Sequence, residues 1–196
     1  MTTAPDRAPL TATMRERVVD AAVALTTEVG WAQVTMARIA DRVGVSRQTV
    51  YNEVGTKPGL AEAMILHELD RFLGVVNVAF DDAPTDLVGA IRGATRGVLE
   101  LAQDNPLLHA VVSATHGADT ELLPLLTTHA ESLLAAAKIV IKDRIEPYAL
   151  ALDDEHLEAA IDMVVRVVLS HVMQPSASPA DTSDDIAWIA ARVLRP

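Results

Sequence analysis

Between Ser46 and Lys57 the chain reads SRQTVYNEVGTK, and its polar side chains have the chemistry to read a nucleic acid. Arg47 can offer two N–H donors to guanine, Gln48 can pair with adenine, and Thr49 presents a methyl and a hydroxyl to a base edge. Tyr51 and Lys57 carry a hydroxyl and an ammonium suited to phosphate oxygens. Upstream, Thr35 and Arg38 lie at a helix start, where free N–H groups also favour an anion. With Ser46, which caps the reading helix, these residues form the candidate DNA-binding set. For Arg47, Gln48 and Thr49 the plainer alternative is a solvated or phosphate-bound face. Arg42 fits a surface residue paired with an acid.

Such side chains must be held by helices of a particular arrangement. Thr35 can cap a helix over Met36 to Val43, whose apolar residues Ile39, Ala40 and Val43 lie on one side. Gly44 supplies the left-handed residue that ends it, Val45 turns inward, and Ser46 caps a second helix from Arg47 to about Val54. Two helices joined by a short glycine turn are the pattern of a helix-turn-helix, whose second helix enters the major groove. Before them, Thr13 and Glu16 form a capping box for a helix from Met14 to Val29, with Val18, Val19, Ala22, Leu25 and Val29 as its inner stripe. Trp31 is expected to plug the join between this helix and the reading pair.

Thr35, Ile39-Ala40, Gly44-Val45-Ser46, Thr49-Val50-Tyr51 and Lys57 together resemble the amino-terminal signature of the TetR family of one-component regulators, over roughly residues 12–64. Two positions depart from it. Val54 stands where the family carries an aromatic, and Glu53 where a neutral side chain or histidine is usual, so Glu53 would repel nearby phosphates. The resemblance implies a homodimer that represses from a palindromic operator and is released by a small ligand. It also implies phosphate contacts from Tyr51 and Lys57.

The 196 residues are half apolar but only 3% aromatic, so the core must be aliphatic. With no cysteine, disulfides and thiolate metal sites are excluded, which fits a reducing cytoplasm. The six histidines show no metal-binding spacing, and no cofactor is expected. Neither a signal peptide nor a membrane span is legible, so a cytoplasmic protein is expected. The net charge of −11 is unevenly spread. Residues 1–60 carry seven basic and six acidic side chains, leaving nine basic against 21 acidic for the remainder. A polyanion is thereby directed to the amino-terminal segment, through placed charges rather than a bulk field.

The whole chain is expected to be all-α, about nine helices, without strands. The expected division is a flexible arm over 1–12, a three-helix helix-turn-helix domain over 13–60, and a helical ligand-binding and dimerisation domain over 61–196. A long helix from Pro58 to about Phe80 leaves the reader. The next, to about Gln103, contains Gly89, Gly93 and Gly97 on one face, which predicts close helix packing or room for a ligand. Further helices are expected over 106–115, 120–146, 153–173 and, capped by Ser183, 184–194.

The aliphatic lining of the second domain suits a small apolar inducer, fatty-acyl or alkane-related. Asn77, Arg92, Arg96, His109, His116, His129 and Arg166 are the polar candidates for orienting it, with His171 a further one. The last two long helices are apolar on more than one side. On the first, Ile161, Val164, Val165, Val168, Leu169 and Val172 are candidates for a dimer interface. On the second, the candidates are Ile186, Ile189 and Val193. An enzyme is not expected, because the chain contains no GxSxG elbow, glycine-rich phosphate loop or CxxC pair. The competing expectation is a helical acyl- or partner-binding module without operator-specific DNA binding.

Overall fold

A computed structural model describes residues 12–109, 130–148, 150 and 152–194. The expected arm up to residue 11, most of the helix over 106–115, the start of the helix over 120–146, His116 and His129 lie outside the described residues. Among the described residues all regular structure is helical, as expected. The chain divides into two compact units, meeting in sequence between Ile65 and Leu66.

The first unit contains α1 (Met14–Val29), α2 (Met36–Val43), α3 (Arg47–Val54) and the start of α4 (Lys57–Asp82). The capping box on α1 is complete: Thr13 Oγ1 accepts the Glu16 N–H at 3.2 Å, and the Thr13 N–H donates back to Glu16 Oε2 at 2.7 Å. Val18, Val19, Ala22 and Leu25 are buried as the stripe predicts, whereas Val29, the last residue of α1, is exposed. Ile39, Val50, Val54, Leu60 and Met64 complete this core. Val45 reaches it only in part, being half-buried. Gly44 ends α2 at φ 77°, ψ 38°, a conformation that penalises any side chain with a Cβ.

The second unit contains the rest of α4, then α5 (Leu87–Gln103), α6 (Ala130–Ile145), α7 (Asp154–Met173) and α8 (Pro179–Val193). Its apolar cluster joins Val76 and Phe80 of α4, Leu87, Ala90 and Ala94 of α5, Ile145 of α6, and Ile161 and Val165 of α7. Tyr148 follows α6 in a 3₁₀ turn, packs edge-on to Phe80 and donates its hydroxyl to the Ala83 carbonyl at 2.8 Å. Against α5, α8 buries small side chains, Thr182, Ser183, Ala187 and Ala190, which let the two helices approach closely.

The last helix begins earlier than predicted. Its cap is Ser178, which accepts the Asp181 N–H at 3.1 Å, and Pro179 occupies the first turn with its φ already set for a helix. Ser183 instead lies inside α8, buried, donating to the Ala180 carbonyl at 2.8 Å. A serine followed by acids signals a cap only where its backbone is extended, and the earlier Ser-Pro pair takes that role.

Packing against α4 explains two of the three glycines in the row on α5. A Cβ at Gly97 would lie 2.5 Å from Val75 Cγ1, and one at Gly93 would lie 3.4 Å from Ala79 Cβ. These pairs descend α4 as they climb α5, so Gly93 and Gly97 form the seam between the two helices, whereas a Cβ at Gly89 would meet the side chain of Asp86, the cap of its own helix. Gly97→Leu should therefore destabilise the protein by about 1–3 kcal/mol through overpacking, measured by urea unfolding. An unchanged midpoint would show that this seam has slack.

Ion pairs tie α6 to α7. Asp162 accepts Arg166 Nε at 2.7 Å and Lys138 Nζ at 2.9 Å, and Lys142 Nζ lies 2.9 Å from Glu158. The Arg166 and Lys138 hydrogen bonds hold the Asp162 carboxyl below its ordinary value of 3.8. A carboxylate with a depressed folded pKa stabilises the fold above its unfolded pKa and loses that contribution as pH falls through the folded one. Asp162→Asn should thus melt below the wild type at neutral pH. The gap should close in acid, below the usual aspartate range, in thermal melts recorded against pH.

Candidate nucleic-acid interface

α3 is short, and its outward side is built by helical spacing. Val50 and Val54 face the core, so Arg47, Gln48, Tyr51 and Asn52 fall on the opposite side and are exposed. Ser46 Oγ accepts the Thr49 N–H at 3.1 Å and lies 2.9 Å from the Thr49 hydroxyl, so these two side chains fix the leading turn. Gln48 Nε2 donates to Asn52 Oδ1 at 2.9 Å, one turn along. Asn52 was not among the residues predicted to bind DNA; its signal was the i,i+4 spacing from Gln48 on the polar face. Gln48→Ala should relax base preference at a few operator positions, costing about 1–3 kcal/mol of discrimination there, in a binding assay over a randomised duplex library.

The flanking candidates are also held by the fold. Thr35 Oγ1 accepts the Arg38 N–H at 3.3 Å and so caps α2, while Arg38 Nη1 donates to the Gln33 carbonyl at 3.1 Å. Both residues are exposed. Lys57, half-buried, is the first residue of α4, and its Nζ lies 4.8 Å from the centre of the Trp31 ring. Arg42 forms a two-pronged pair with Glu28, at 2.8 and 2.6 Å, and is the surface ion-pair residue it was expected to be. That hydrogen bond draws the Glu28 carboxyl below its ordinary range.

Two arginines that sequence reasoning passed over orient the reading pair. From α1, Arg17 Nη2 donates to the Val43 carbonyl at 3.0 Å, and Arg15 donates to the Glu53 carbonyl. Each guanidinium satisfies an orphan acceptor where a helix dipole is negative, one at the end of α2 and one at the end of α3. The Arg15 contact is to the backbone carbonyl of Glu53, the acidic residue that departs from the family pattern. Only the folded backbone brings these long-range partners together.

The candidates in the second unit are dispersed. Arg92, Arg96, His109 and Arg166 are exposed and engaged with Asp184, Glu100, the Gln103 carbonyl and Asp162 respectively. Asn77 is half-buried and gives its carbonyl to Arg144, and His171 lies 3.3 Å from the Ser176 hydroxyl. The buried polar cluster is elsewhere. Glu68 and Asn105 are both buried and hydrogen-bonded to each other, with Arg71 Nη1 3.0 Å from Glu68 and Asn105 Oδ1 accepting the Leu108 N–H at 2.9 Å. Among the described residues, no group of three or more His, Cys, Asp or Glu side chains is placed to hold a metal. No helix there is long and apolar enough to cross a membrane.

The dimer candidates separate into two groups. Ile161, Val165 and Ile186 are buried within their own chain, and Val164, Val168 and Val172 are half-buried. Leu169, Ile189 and Val193 are exposed, and so are Met163, Val167, Met173 and Trp188 on the same two helices.

Comparison with known proteins agrees with this geometry. Residues 18–64 match the model for bacterial regulatory proteins of the tetR family, and residues 86–192 match that for the bacterial tetracyclin repressor C-terminal domain. The HTH-type transcriptional regulator AlkX of Mycobacterium tuberculosis is 27% identical over 176 residues, covering 90% of this chain and 82% of that protein. The crystal structure of the TetR family repressor AlkX from Dietzia, implicated in biodegradation of n-alkanes, superposes with a TM-score of 0.73 at 26% identity, covering 93% and 95% of the two chains. FadR of Bacillus subtilis, solved with stearoyl-CoA, shares the fold at a TM-score of 0.58 and 16% identity, covering 91% and 96%. With an exposed recognition helix on a three-helix frame and both family models matched in order, the chain belongs to the TetR family of DNA-binding transcriptional regulators.

Proposed function

We propose that the protein is a homodimeric repressor that binds a palindromic operator and is released by a small apolar ligand, fatty-acyl or alkane-related. The observation that carries this reading is the outward face of α3, where Arg47, Gln48 and Tyr51 stand exposed on a helix whose other side is locked into the core. A single eight-residue recognition helix reads too few bases for specificity, and two related by a two-fold axis read a palindrome. The exposed apolar side chains of α7 and α8 suit the isologous contact that such a dimer needs.

The proposed coupling element is α4, one unbroken helix with Lys57 at its start and Val76 and Phe80 in the second unit's core. A ligand favouring one arrangement of that core shifts the population of reader spacings and so releases DNA. The kinship with AlkX and the largely aliphatic core of the second unit both favour an apolar effector. Partly buried Ile91, Val98, Leu134, Ile141 and Leu157 surround the central cluster, and the whole chain has only two phenylalanines. Titrating n-alkanes, free fatty acids and long-chain acyl-CoAs into a preformed complex with operator DNA tests this reading by fluorescence anisotropy. Saturable release by one class is expected. Release by none of them, or only by polar effectors, would overturn the ligand assignment.

A further inference from the structure

Lys57 is placed against ordinary helix electrostatics. It opens α4, where the dipole is positive and an acid is preferred, and the first turn contains no acid. Its ammonium lies over the indole of Trp31, 4.8 Å from Nζ to the ring centre. Trp31 is only 6% exposed and belongs to the short turn Trp31–Gln33. That turn is itself fixed, with the Gln33 N–H donating to Gly30 at 3.1 Å and the Val34 N–H donating to Trp31 at 3.0 Å. Its far end holds a second cation, because the Gln33 carbonyl accepts Arg38 Nη1 at 3.1 Å. Three residues therefore bracket two basic side chains from different helices, α2 and α4.

Filling the core requires only an apolar side chain at position 31. An aromatic face adds an electrostatic seat for a cation, which offsets the helix dipole and restricts a flexible four-carbon chain. Ordering that chain in advance removes a cost that binding would otherwise carry. We infer that the turn Trp31–Gln33 is a positioning element of the DNA interface, the indole holding Lys57 and the Gln33 carbonyl holding Arg38 toward phosphate. The inference rests on the reading of Lys57 as a phosphate contact. Trp31 is thus a positioning residue and touches no nucleotide.

The test is a double-mutant cycle on the full-length protein with a duplex from upstream of its own gene, read as Kd, salt slope and melting temperature. Trp31→Leu should weaken binding by about tenfold and Trp31→Phe by about threefold. In the Lys57→Ala background Trp31→Leu should add nothing, because the seat is then empty. A purely structural Trp31 would lower the melting temperature and leave the cycle additive, which would overturn the inference. So would a folded Trp31→Leu protein with wild-type affinity. An unchanged salt slope in Lys57→Ala would overturn it through its premise, showing that Lys57 meets no phosphate. Should Trp31→Leu fail to fold, Trp31→Phe in the two backgrounds supplies the same comparison.

Discussion

Val167→Asp combined with Ile189→Asp should convert the protein to a folded monomer and weaken operator binding by about three orders of magnitude. Both side chains are exposed on the outer sides of α7 and α8, at 39% and 53% of their full surface. Placing charges there costs an isolated chain little, but it puts unpaired carboxylates into an isologous interface, where each meets apolar surface. The affinity loss follows because a lone reader retains the phosphate attraction but loses the second half-site, and specific binding exceeds non-specific binding by that order or more. Val165→Asp would be a poor substitute, since Val165 belongs to the chain's own core and its replacement would unfold the second unit. Sedimentation and a thermal melt check the prediction together. A double variant still sedimenting as a dimer would place the interface elsewhere.

Lys57→Ala should lower operator affinity by about a hundredfold at physiological salt and reduce the slope of log K against log salt by about two, one for each protomer. The ammonium stands at a helix N-terminus, where phosphate would meet both the charge and the free N–H groups. The loss should be nearly the same on operator and on random DNA, because a phosphate contact carries no sequence information. Tyr51→Phe is the instructive partner. Removing its exposed hydroxyl deletes a neutral donor, so affinity should fall while the salt slope stays unchanged. Titrations of both variants across a salt series separate the two effects. A loss confined to one DNA sequence would show that Lys57 reads bases.

Local signals made the first unit legible in the sequence. Thr13, Thr35 and Ser46 are caps with their partners three residues on, and Gly44 needs a left-handed backbone, so each helix end was written in adjacent residues. What adjacency could not supply was the cross-links. Arg15 and Arg17 look like ordinary surface charges on α1 until the C-termini of α3 and α2 arrive beside them. Trp31 was readable as core, but its partnership with Lys57 spans 26 positions. In the second unit the apolar stripes predicted helices well. They could not tell which side of α7 faces its own core, because apolar residues occupy both: Val165 is buried and Val167 is exposed. Polar residue type alone does not say which side chains face inward there, and the fold places Arg92, Arg96 and Arg166 in surface ion pairs. Glu68 and Asn105 are not legible in the sequence, because a buried Glu–Asn pair 37 positions apart has no local signature.

The most direct test of the central claim is a protection footprint of the purified protein on DNA upstream of its own gene, repeated across a salt series. A two-fold symmetric footprint is expected, with half-sites about one helical turn apart or a multiple of it, and affinity falling steeply with salt. Binding to that DNA no tighter than to random sequence, or a footprint without two-fold symmetry, would contradict it.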